Sequence, residues 1–316
     1  MNMLITGANG FVGRALVSHF AAKEAMSVRA AVRALSSPFQ PPVDVRDNLD
    51  LDGADWSSAL RNMDVVIHCA ARVHVRNDSA MDAIAEFRKI NTDGTIRLAR
   101  QAAEAGVKRL IYLSTVKVNG HSTTHRAPFS AHDIPSPVDA YGMSKMEAET
   151  GLLKLAKKTG LDIVIIRPPL VYGPGVKANF LSLMRLINWS IPLPFGKTDN
   201  KRSFVAIDNL VDLVETCCVH PSASNQIFMV SDGHDVSTTH LIRMIGQALR
   251  RTTRLLSVPP DLMYRAARLM GKEDMADRLI GSLQVDISKN KHVLNWNPPI
   301  KMETALQRTA DMFRKI

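Results

Sequence analysis

The sequence has few of the residues on which disulfide-rich, zinc-binding and membrane-spanning proteins depend. Only 3 of its 316 residues are cysteine, and two of them, Cys217 and Cys218, are neighbours on a predicted helix. This excludes a disulfide framework and indicates a reduced, cytoplasmic protein. No group of histidines and cysteines has the spacing of zinc ligands, so no metal is expected. No apolar run approaches the roughly 20 residues of a membrane span, and the first motif begins at Thr6, so neither membrane insertion nor a signal peptide is expected.

Acidic residues are also in deficit, because 40 lysines and arginines face 30 acidic residues and give a formal net charge of +10. The excess is dispersed, with a mild concentration at Arg243, Arg250, Arg251, Arg254, Arg265 and Arg268. Solvated helix faces, together with a field that favours phosphate-bearing ligands, account for such a distribution. Contact with an anionic membrane surface stays an open alternative, and nucleic acid is not an expected partner.

The order of apolar runs and helical patterns indicates the fold class. Buried strands are predicted at 3–5, 28–32, 65–69, 110–113 and 163–166, with a weaker strand at 43–45. Helical patterns lie between them at 11–23, 83–105 and 140–158. Repeated strand–helix–strand units predict an α/β protein with a Rossmann-type doubly wound parallel sheet.

The pattern changes after residue 170, where prolines and glycines cluster. Short strands are predicted at 203–207 and 226–230, and helices at 208–219, 238–250, 261–270 and 302–313. We therefore expect a Rossmann domain over 1–170, to which 203–230 partly return, and a smaller, helix-rich C-terminal cap over 171–316.

Three glycines mark a phosphate-binding turn at the amino end. Gly7, Gly10 and Gly13 lie between the first predicted strand and an amphipathic helix. A tight glycine turn lets backbone N–H groups approach a pyrophosphate, and the positive end of the helix favours its negative charge. The position of the turn predicts a dinucleotide site.

The residue at the end of the second predicted strand indicates which dinucleotide binds. An acidic residue at this point would accept hydrogen bonds from the ribose hydroxyls of NAD. This chain has Arg33 instead, and its next carboxylate is Asp44. A guanidinium can pair with a 2′-phosphate but cannot accept a hydrogen bond from a 2′-hydroxyl. NADP(H) is therefore the preferred cofactor, and an exposed arginine that permits NAD is the alternative.

Tyr141 and Lys145 stand one helical turn apart and therefore share a helix face. A cation about 4 Å from the phenol contributes about 4 kcal/mol at an effective dielectric of 20. This corresponds to roughly three pKa units, before desolvation opposes the shift. The pair therefore predicts a tyrosine that moves a proton near neutral pH. Either Ser114 or Thr115, at the end of the fifth predicted strand, can orient the reacting oxygen, and the alternative role for them is to cap the following loop.

Together these motifs resemble the extended short-chain dehydrogenase/reductase family, in particular its nucleotide-sugar epimerases, dehydratases and 4-keto-sugar reductases. The resemblance covers essentially the whole chain. Beyond the glycine turn and the Tyr–Lys pair, it includes His68-Cys69-Ala70-Ala71, Asn91-Thr92-Asp93-Gly94-Thr95, the run from Arg167 to Gly175, and Leu294-Asn295-Trp296-Asn297-Pro298.

The resemblance implies roles for individual residues. Those expected to contact the cofactor are Gly7, Asn9, Gly10, Phe11, Val12, Gly13, Arg33, Asn48, Leu49, Cys69, Ala70, Ala71, Leu113, Tyr141, Lys145, Pro168, Leu170 and Val171. Those expected at the substrate are Thr115, Lys117, Tyr141, Asn179, Arg202 and Arg72, with His74 on a nearby loop. The catalytic residues expected are Tyr141, Lys145 and Thr115, with Ser114. A homodimer formed through the helices at 83–105 and 140–158 is also implied.

The chain departs from the family pattern at Arg33, at Val118-Asn119-Gly120 and at 279–283. Since a net reductase exchanges its cofactor at every turnover, an NADPH-selecting strand favours that reaction. The preferred hypothesis is therefore a reductase of a UDP-4-keto-6-deoxy-N-acetylhexosamine for surface polysaccharide synthesis. The alternative is a UDP-hexose or UDP-N-acetylhexosamine 4-epimerase with bound NAD. A non-catalytic NAD(P)-sensing regulatory protein is the distant third hypothesis.

Overall fold

The strands form from the apolar runs of the sequence, with small shifts at their ends. The computed structural model describes residues 1–34, 38–39, 43–73, 80–271 and 273–315, without the side chains of 80–82, 274 and 275. Within these ranges the strands are β1 (Asn2–Thr6), β2 (Ser27–Ala31), β3 (Asp44–Arg46), β4 (Val65–His68), β5 (Arg109–Leu113), β6 (Asp162–Arg167), β7 (Leu170–Tyr172), β8 (Phe204–Ala206) and β9 (Gln226–Met229).

The helices cover both faces of the sheet and build the cap. The first half of the chain contains α1 (Phe11–Ala21), α2 (Ser57–Leu60), α3 (Ala80–Phe87), α4 (Thr95–Glu104) and α5 (Ala140–Thr159). The second half contains α6 (Ala178–Asn188), α7 (Ile207–Val219), α8 (Thr238–Leu249), α9 (Pro260–Leu269), α10 (Glu273–Ile280), α11 (Ser288–Leu294) and α12 (Met302–Phe313). No helix in the described ranges is both long and apolar enough to cross a membrane.

Seven strands form one parallel sheet in the order β3-β2-β1-β4-β5-β6-β9. The chain builds outward from β1 to β3, then returns to place β4 on the other side of β1. The direction of winding therefore reverses between β1 and β4, and the crevice beyond the carboxyl ends of these two strands is where such sheets bind ligands. The predicted α/β architecture is thus present, and β9 joins this sheet beside β6.

Alternating side chains of the central strands fill two separate hydrophobic clusters. Met3 and Ile5 pack in the cluster that includes α1 and α7, whereas Leu4 packs in the cluster that includes α4 and α5. Since successive strand residues point to opposite faces, both faces of the sheet are buried. A third cluster lies in the cap and joins α6, α8 and α12.

Five elements were not predicted from the sequence: α2, β7, α6, α10 and α11. Two of the predicted elements have a different form in the structure. The helix predicted at 83–105 is divided into α3 and α4 by a π-helical turn at Arg88–Gly94. Within this turn Asn91 hydrogen-bonds to the backbone of Arg72 and to Ser144, so tertiary contacts replace regular helical geometry. The strand predicted at 203–207 is the shorter β8, and it pairs with β7 in a separate two-stranded sheet.

Candidate active site

The glycine turn connects β1 to α1 at the point where the sheet reverses. Gly7 has φ +65°, and a Cβ there would lie 2.7 Å from the backbone nitrogen of Ala70. A Cβ on Gly13 would overlap the carbonyl oxygen of Gly7, so only glycine lets α1 pack this close to the turn. The helix has no side-chain cap at Gly10 and no acidic residue in its first turn. Its N-terminus therefore fits a pyrophosphate, which would supply the hydrogen-bond acceptors and the negative charge.

The loops after β2 and β3 meet beside this turn. The backbone nitrogen of Asn48 donates to the carbonyl of Arg33 at 3.1 Å, and that of Leu49 donates to Val32 at 3.2 Å. The side chain of Asn9 donates to the carbonyl of Ala34 at 2.7 Å. The structure thus brings Asn9, Arg33 and Asn48 together. Arg33 is exposed, and its side chain forms no hydrogen bond or ion pair with the described part of the chain.

A buried histidine supports the glycine turn, and sequence reasoning gave it no role. The Nδ1 atom of His68 lies 2.6 Å from Oγ1 of Thr6, and its Nε2 atom lies 2.9 Å from Oγ1 of Thr95. Thr6 also accepts a hydrogen bond from the backbone nitrogen of Ala70 at 3.2 Å. Burial lowers the pKa of His68 to about 3, and Lys145 adds to the shift. A neutral imidazole therefore links β1, β4 and α4 beneath the turn. The signal in the sequence was a histidine that ends an otherwise apolar strand.

Tyr141 and Lys145 lie in the first turns of α5, which is capped by Asp139 through a 2.7 Å bond from the backbone nitrogen of Gly142. The ammonium of Lys145 donates to the carbonyl oxygen of Leu113 at 2.6 Å and lies 4.1 Å from the centre of the Tyr112 ring. Burial lowers the pKa of Lys145 to about 7, against the opposing charge of Glu149. The lysine therefore changes its charge near neutral pH.

The expected acidification of the phenol is not found. Burial raises the pKa of Tyr141 to about 12, and the charge of Asp139 adds to the rise. Desolvation acts on both groups: it raises the pKa of the phenol and brings Lys145 itself close to neutrality. Tyr141 is a protonated phenol here, and its ring makes an edge-on contact with Phe87 at 6.0 Å between centroids.

The two hydroxyls at the end of β5 have different surroundings. Ser114 is buried, and its hydroxyl donates to the carboxylate of Glu149. Thr115 is partly exposed and accepts a 3.3 Å bond from the backbone nitrogen of Lys117, which begins a short 3-10 turn. Thr115 is thus the more exposed of the two hydroxyls, and it also has the loop-capping contact considered as its alternative role.

A buried ionic network lies behind these groups. The carboxylate of Glu149, one turn beyond Lys145 on α5, accepts bonds from both the Nε and the Nη2 atoms of Arg167. The Nη1 atom of Arg167 donates to Oδ1 of Asn119 at 3.0 Å. Asn119 stands in the Val-Asn-Gly departure from the family pattern, and here it completes the hydrogen bonding of a buried guanidinium.

The remaining cofactor residues are brought to the crevice by four strands. Cys69, Ala70 and Ala71 follow β4, Leu113 ends β5, Pro168 follows β6, and Leu170 and Val171 begin β7. The carbonyl of Pro168 accepts a 2.9 Å bond from the backbone nitrogen of Val116, which fixes the two loops together. Burial raises the pKa of the Cys69 thiol to about 12, so it is neutral.

The candidate substrate residues lie on different elements and have different surroundings. Lys117 pairs with Asp139 at 2.5 Å, and its nitrogen lies 5.6 Å from the centre of the Tyr141 ring. Arg72 pairs with Glu86 at 2.6 Å. Asn179 is exposed in the first turn of α6. His74 lies outside the described residues.

Arg202 has the surroundings of an anion-binding group. Its Nη1 atom donates to the carbonyl oxygens of Gly281 at 2.9 Å and Asp277 at 3.4 Å. No described carboxylate forms an ion pair with it. Burial lowers its pKa to about 10, which leaves it charged at neutral pH. A largely buried cation held by carbonyls alone is electrostatically suited to a phosphate.

The comparisons with known proteins agree with these motifs. Residues 3–231 match the family described as NAD dependent epimerase/dehydratase. The chain is 47% identical to UDP-glucose 4-epimerase of Vibrio cholerae, over 99% of this chain and 95% of that protein. Among solved structures, UDP-glucuronic acid 4-epimerase from Bacillus cereus in complex with NAD has a TM-score of 0.79 and 20% identity, covering 100% of this chain and 99% of the other. RMD from Pseudomonas aeruginosa, complexed with NADPH, has a TM-score of 0.75 and 20% identity, with 99% of both chains covered.

These likenesses confirm the Rossmann-type fold and the resemblance stated from the motifs. The relatives are enzymes, so the hypothesis of a non-catalytic sensor has no support, and the comparisons give none to a 4-keto-reductase. The chain belongs to the NAD dependent epimerase/dehydratase family and is an enzyme of the extended short-chain dehydrogenase/reductase type.

Proposed function

We propose that the protein is a UDP-sugar 4-epimerase that uses bound NAD. The observation that carries this proposal is the 47% identity to UDP-glucose 4-epimerase of Vibrio cholerae along nearly the whole of both chains. It replaces the reductase preferred from the sequence. Both hypotheses place the same chemistry at C4 of the sugar, so the site residues keep their roles.

The residues present fit the cofactor. The amides at Phe11 and Val12 would hold the pyrophosphate, since the Gly10 amide already donates to the carbonyl of Gly7 at 2.8 Å. Asn48 and Leu49 would border the adenine. Pro168, Leu170 and Val171 would border the nicotinamide. When bound, NAD supplies the hydride acceptor and donor for C4.

Tyr141 moves the proton in this proposal. Oxidation removes the C4 hydrogen with its electron pair and transfers the hydroxyl proton to the Tyr141 oxygen, which leaves a 4-keto sugar. Return of the hydride to the opposite face of C4, with return of the proton from Tyr141 to the C4 oxygen, gives the epimer, so no net oxidation occurs. Because the pKa of Tyr141 is about 12, formation of the phenolate depends on a charged Lys145 close to it; such a charge contributes about 4 kcal/mol at 4 Å.

Thr115 and Arg202 position the substrate in this proposal. The Thr115 hydroxyl would orient the C4 oxygen, since Ser114 already donates to Glu149. Arg202 would hold the nucleotide diphosphate, with Asn179 at the same end. Lys117 and Arg72 lie nearer the sugar, and each already has a carboxylate partner.

The test is an assay of the purified protein with UDP-glucose and UDP-N-acetylglucosamine and no added cofactor. Formation of the corresponding galacto epimer, together with release of NAD on denaturation, is the expected result. Tyr141→Phe should retain NAD and lose turnover by a factor of about 10²–10⁴. A requirement for added NADPH, consumed in proportion to the product from a UDP-4-keto sugar, would overturn the epimerase and restore the reductase, which Arg33 favours.

A further inference from the structure

Several large apolar side chains of the cap are exposed. On α9 the exposed fractions are 56% for Leu262 and 90% for Leu269, and Met270 follows at 63%. Leu256, four residues before the helix begins, and Trp189, just after α6, are also more than half exposed. We call these five residues and the arginines between them the cap surface.

The segments that carry the cap surface are joined by hydrogen bonds. The backbone of Leu193 donates to Arg254 at 2.9 Å and accepts from Leu256 at 2.8 Å. The Nε atom of Arg251 donates to Oδ1 of Asn188 at 3.2 Å, at the end of α6. The end of α6 and the segment before α9 are therefore neighbours.

The two faces of α9 differ in composition. Met263, Tyr264 and Ala267 pack against the hydrophobic cluster of the cap. Leu262, Arg265 and Leu269 stand at positions i, i+3 and i+7 and form a stripe on the opposite face. Exposed leucines alternating with arginine along a helix are typical of helices that lie in the plane of a membrane surface.

Charge on the cap surface has a single dominant sign. Residues 250–271 contain five arginines and one acidic residue, Asp261. The ion pair that the described residues form with these arginines is Arg268 to Glu273 at 3.3 Å, and both side chains are exposed. An exposed ion pair of this kind is weak, so it leaves most of the positive charge available to a binding partner.

We propose that the cap surface docks on an anionic lipid bilayer. A positively charged stripe with exposed leucines is complementary to negatively charged headgroups above an acyl layer. Trp189 has an aromatic ring with a polar N–H, which suits the interface between them. A second copy of the chain is a poor occupant, because it would bring two sets of arginines together.

Docking there would bring the substrate site close to the lipid headgroups. Tyr264, on the inner face of α9, lies beside Asp277, and burial together with the charge of that carboxylate raises the pKa of its phenol. The backbone carbonyl of Asp277 in turn accepts from Arg202. The helix proposed to contact lipid is therefore one residue layer away from the cation proposed to hold the diphosphate.

The experiment is co-sedimentation of the full-length protein with vesicles of phosphatidylcholine alone, or of phosphatidylcholine mixed with phosphatidylglycerol. Binding is expected with the anionic vesicles and should weaken as salt is added. The double variant Leu262→Ser/Leu269→Ser should reduce the partition coefficient at least about tenfold, since two leucines no longer leave water. Arg265→Gln should also weaken binding to anionic vesicles.

The matched control is Ile134→Ser, because Ile134 is 88% exposed but lies outside the cap surface. It should bind vesicles like the unchanged protein. Equal sedimentation with both kinds of vesicle, no binding to either, or equal losses in the control would overturn the proposal. Binding to polyglutamate without binding to vesicles would also overturn it and would indicate an acidic protein partner. A concentration-dependent dimer that the double leucine variant abolishes would overturn it in favour of a second copy of the chain. Vesicle binding needs no turnover, so this test is independent of the epimerase proposal.

Discussion

The guanidinium of Arg167 forms a two-point ion pair with the carboxylate of Glu149, with Nη2 2.5 Å from Oε2 and Nε 3.0 Å from Oε1. Both side chains are buried, and Ser114 donates to the same carboxylate. The pair joins β6 to α5 one turn beyond Lys145. It therefore holds the helix that carries the proposed proton donor against the end of β6, while the bond from Ser114 ties the same carboxylate to the end of β5, next to Thr115.

Replacing Glu149 by Leu should lower the free energy of unfolding by about 3–5 kcal/mol, because Arg167 is then left buried without its anion. Urea unfolding followed by circular dichroism measures this loss. The double variant Glu149→Leu/Arg167→Met should be more stable than Glu149→Leu alone, since it removes the stranded charge. If the loss of stability in the double variant equals the sum of the losses in Glu149→Leu and Arg167→Met, the two residues are not coupled as their geometry indicates.

The two hydroxyls at the end of β5 are expected to respond differently to removal. Thr115→Val should lower kcat of the epimerase by about tenfold or more, since orientation of the C4 oxygen is lost. It should lower the free energy of unfolding by only about 1 kcal/mol, the value of one capping contact.

Ser114→Ala should instead lower stability by about 1–3 kcal/mol, because Glu149 loses a buried donor. Steady-state kinetics and urea unfolding on both variants separate the two roles. If Ser114→Ala loses kcat at unchanged stability while Thr115→Val keeps kcat, the assignment of the two residues is reversed.

The glycine turn, the Tyr–Lys pair and most strand positions could be predicted because each depends on local chemistry. A glycine between a strand and a helix has few alternatives, and an apolar run bounded by turns marks a buried strand. The prediction of a helix at 302–313 matched α12 from end to end. The prediction of one continuous helix at 83–105 was wrong because distant contacts interrupt it. Asn91 bonds to Arg72 and Ser144 across the fold, and the periodicity of the sequence does not reveal the π-helical turn that results.

The electrostatics of the site were less predictable than its residues. Spacing shows that Tyr141 and Lys145 share a helix face, but the pKa of each depends on how much solvent the surrounding elements remove. The network of Glu149, Arg167 and Asn119 joins residues up to 48 positions apart. Only the folded chain shows that Asn119, which departs from the family pattern, is the partner of Arg167.

Arg33 should control the response to a 2′-phosphate. Arg33→Ser is expected to weaken NADP binding about tenfold, since one charge-assisted bond is lost, and to leave NAD binding within about twofold. Isothermal titration of apoprotein with each dinucleotide measures both. If Arg33→Ser weakens the binding of NADP and NAD equally, Arg33 contacts the adenine that both cofactors share.

The neutral His68 predicts acid sensitivity with a defined sign. In the unfolded chain His68 titrates near its ordinary pKa of 6.5, whereas burial lowers the pKa in the folded protein to about 3. Between these values the unfolded state binds more protons, so this group makes stability fall as pH falls from about 6.5 toward 3. The full shift corresponds to about 5 kcal/mol.

His68→Gln removes this contribution to the pH dependence of stability, because an amide does not titrate in this range. The amide can still bond to Thr6 and Thr95. The stability advantage of the unchanged protein over the variant, measured by urea unfolding, should therefore shrink by up to about 1.4 kcal/mol per pH unit between pH 6 and pH 4. The carboxylates titrate alike in both proteins and drop out of the difference. A difference that stays constant over this range would mean that His68 is already protonated in the folded state, and the hydrogen bonds to both threonines would then have to be donated by an imidazolium.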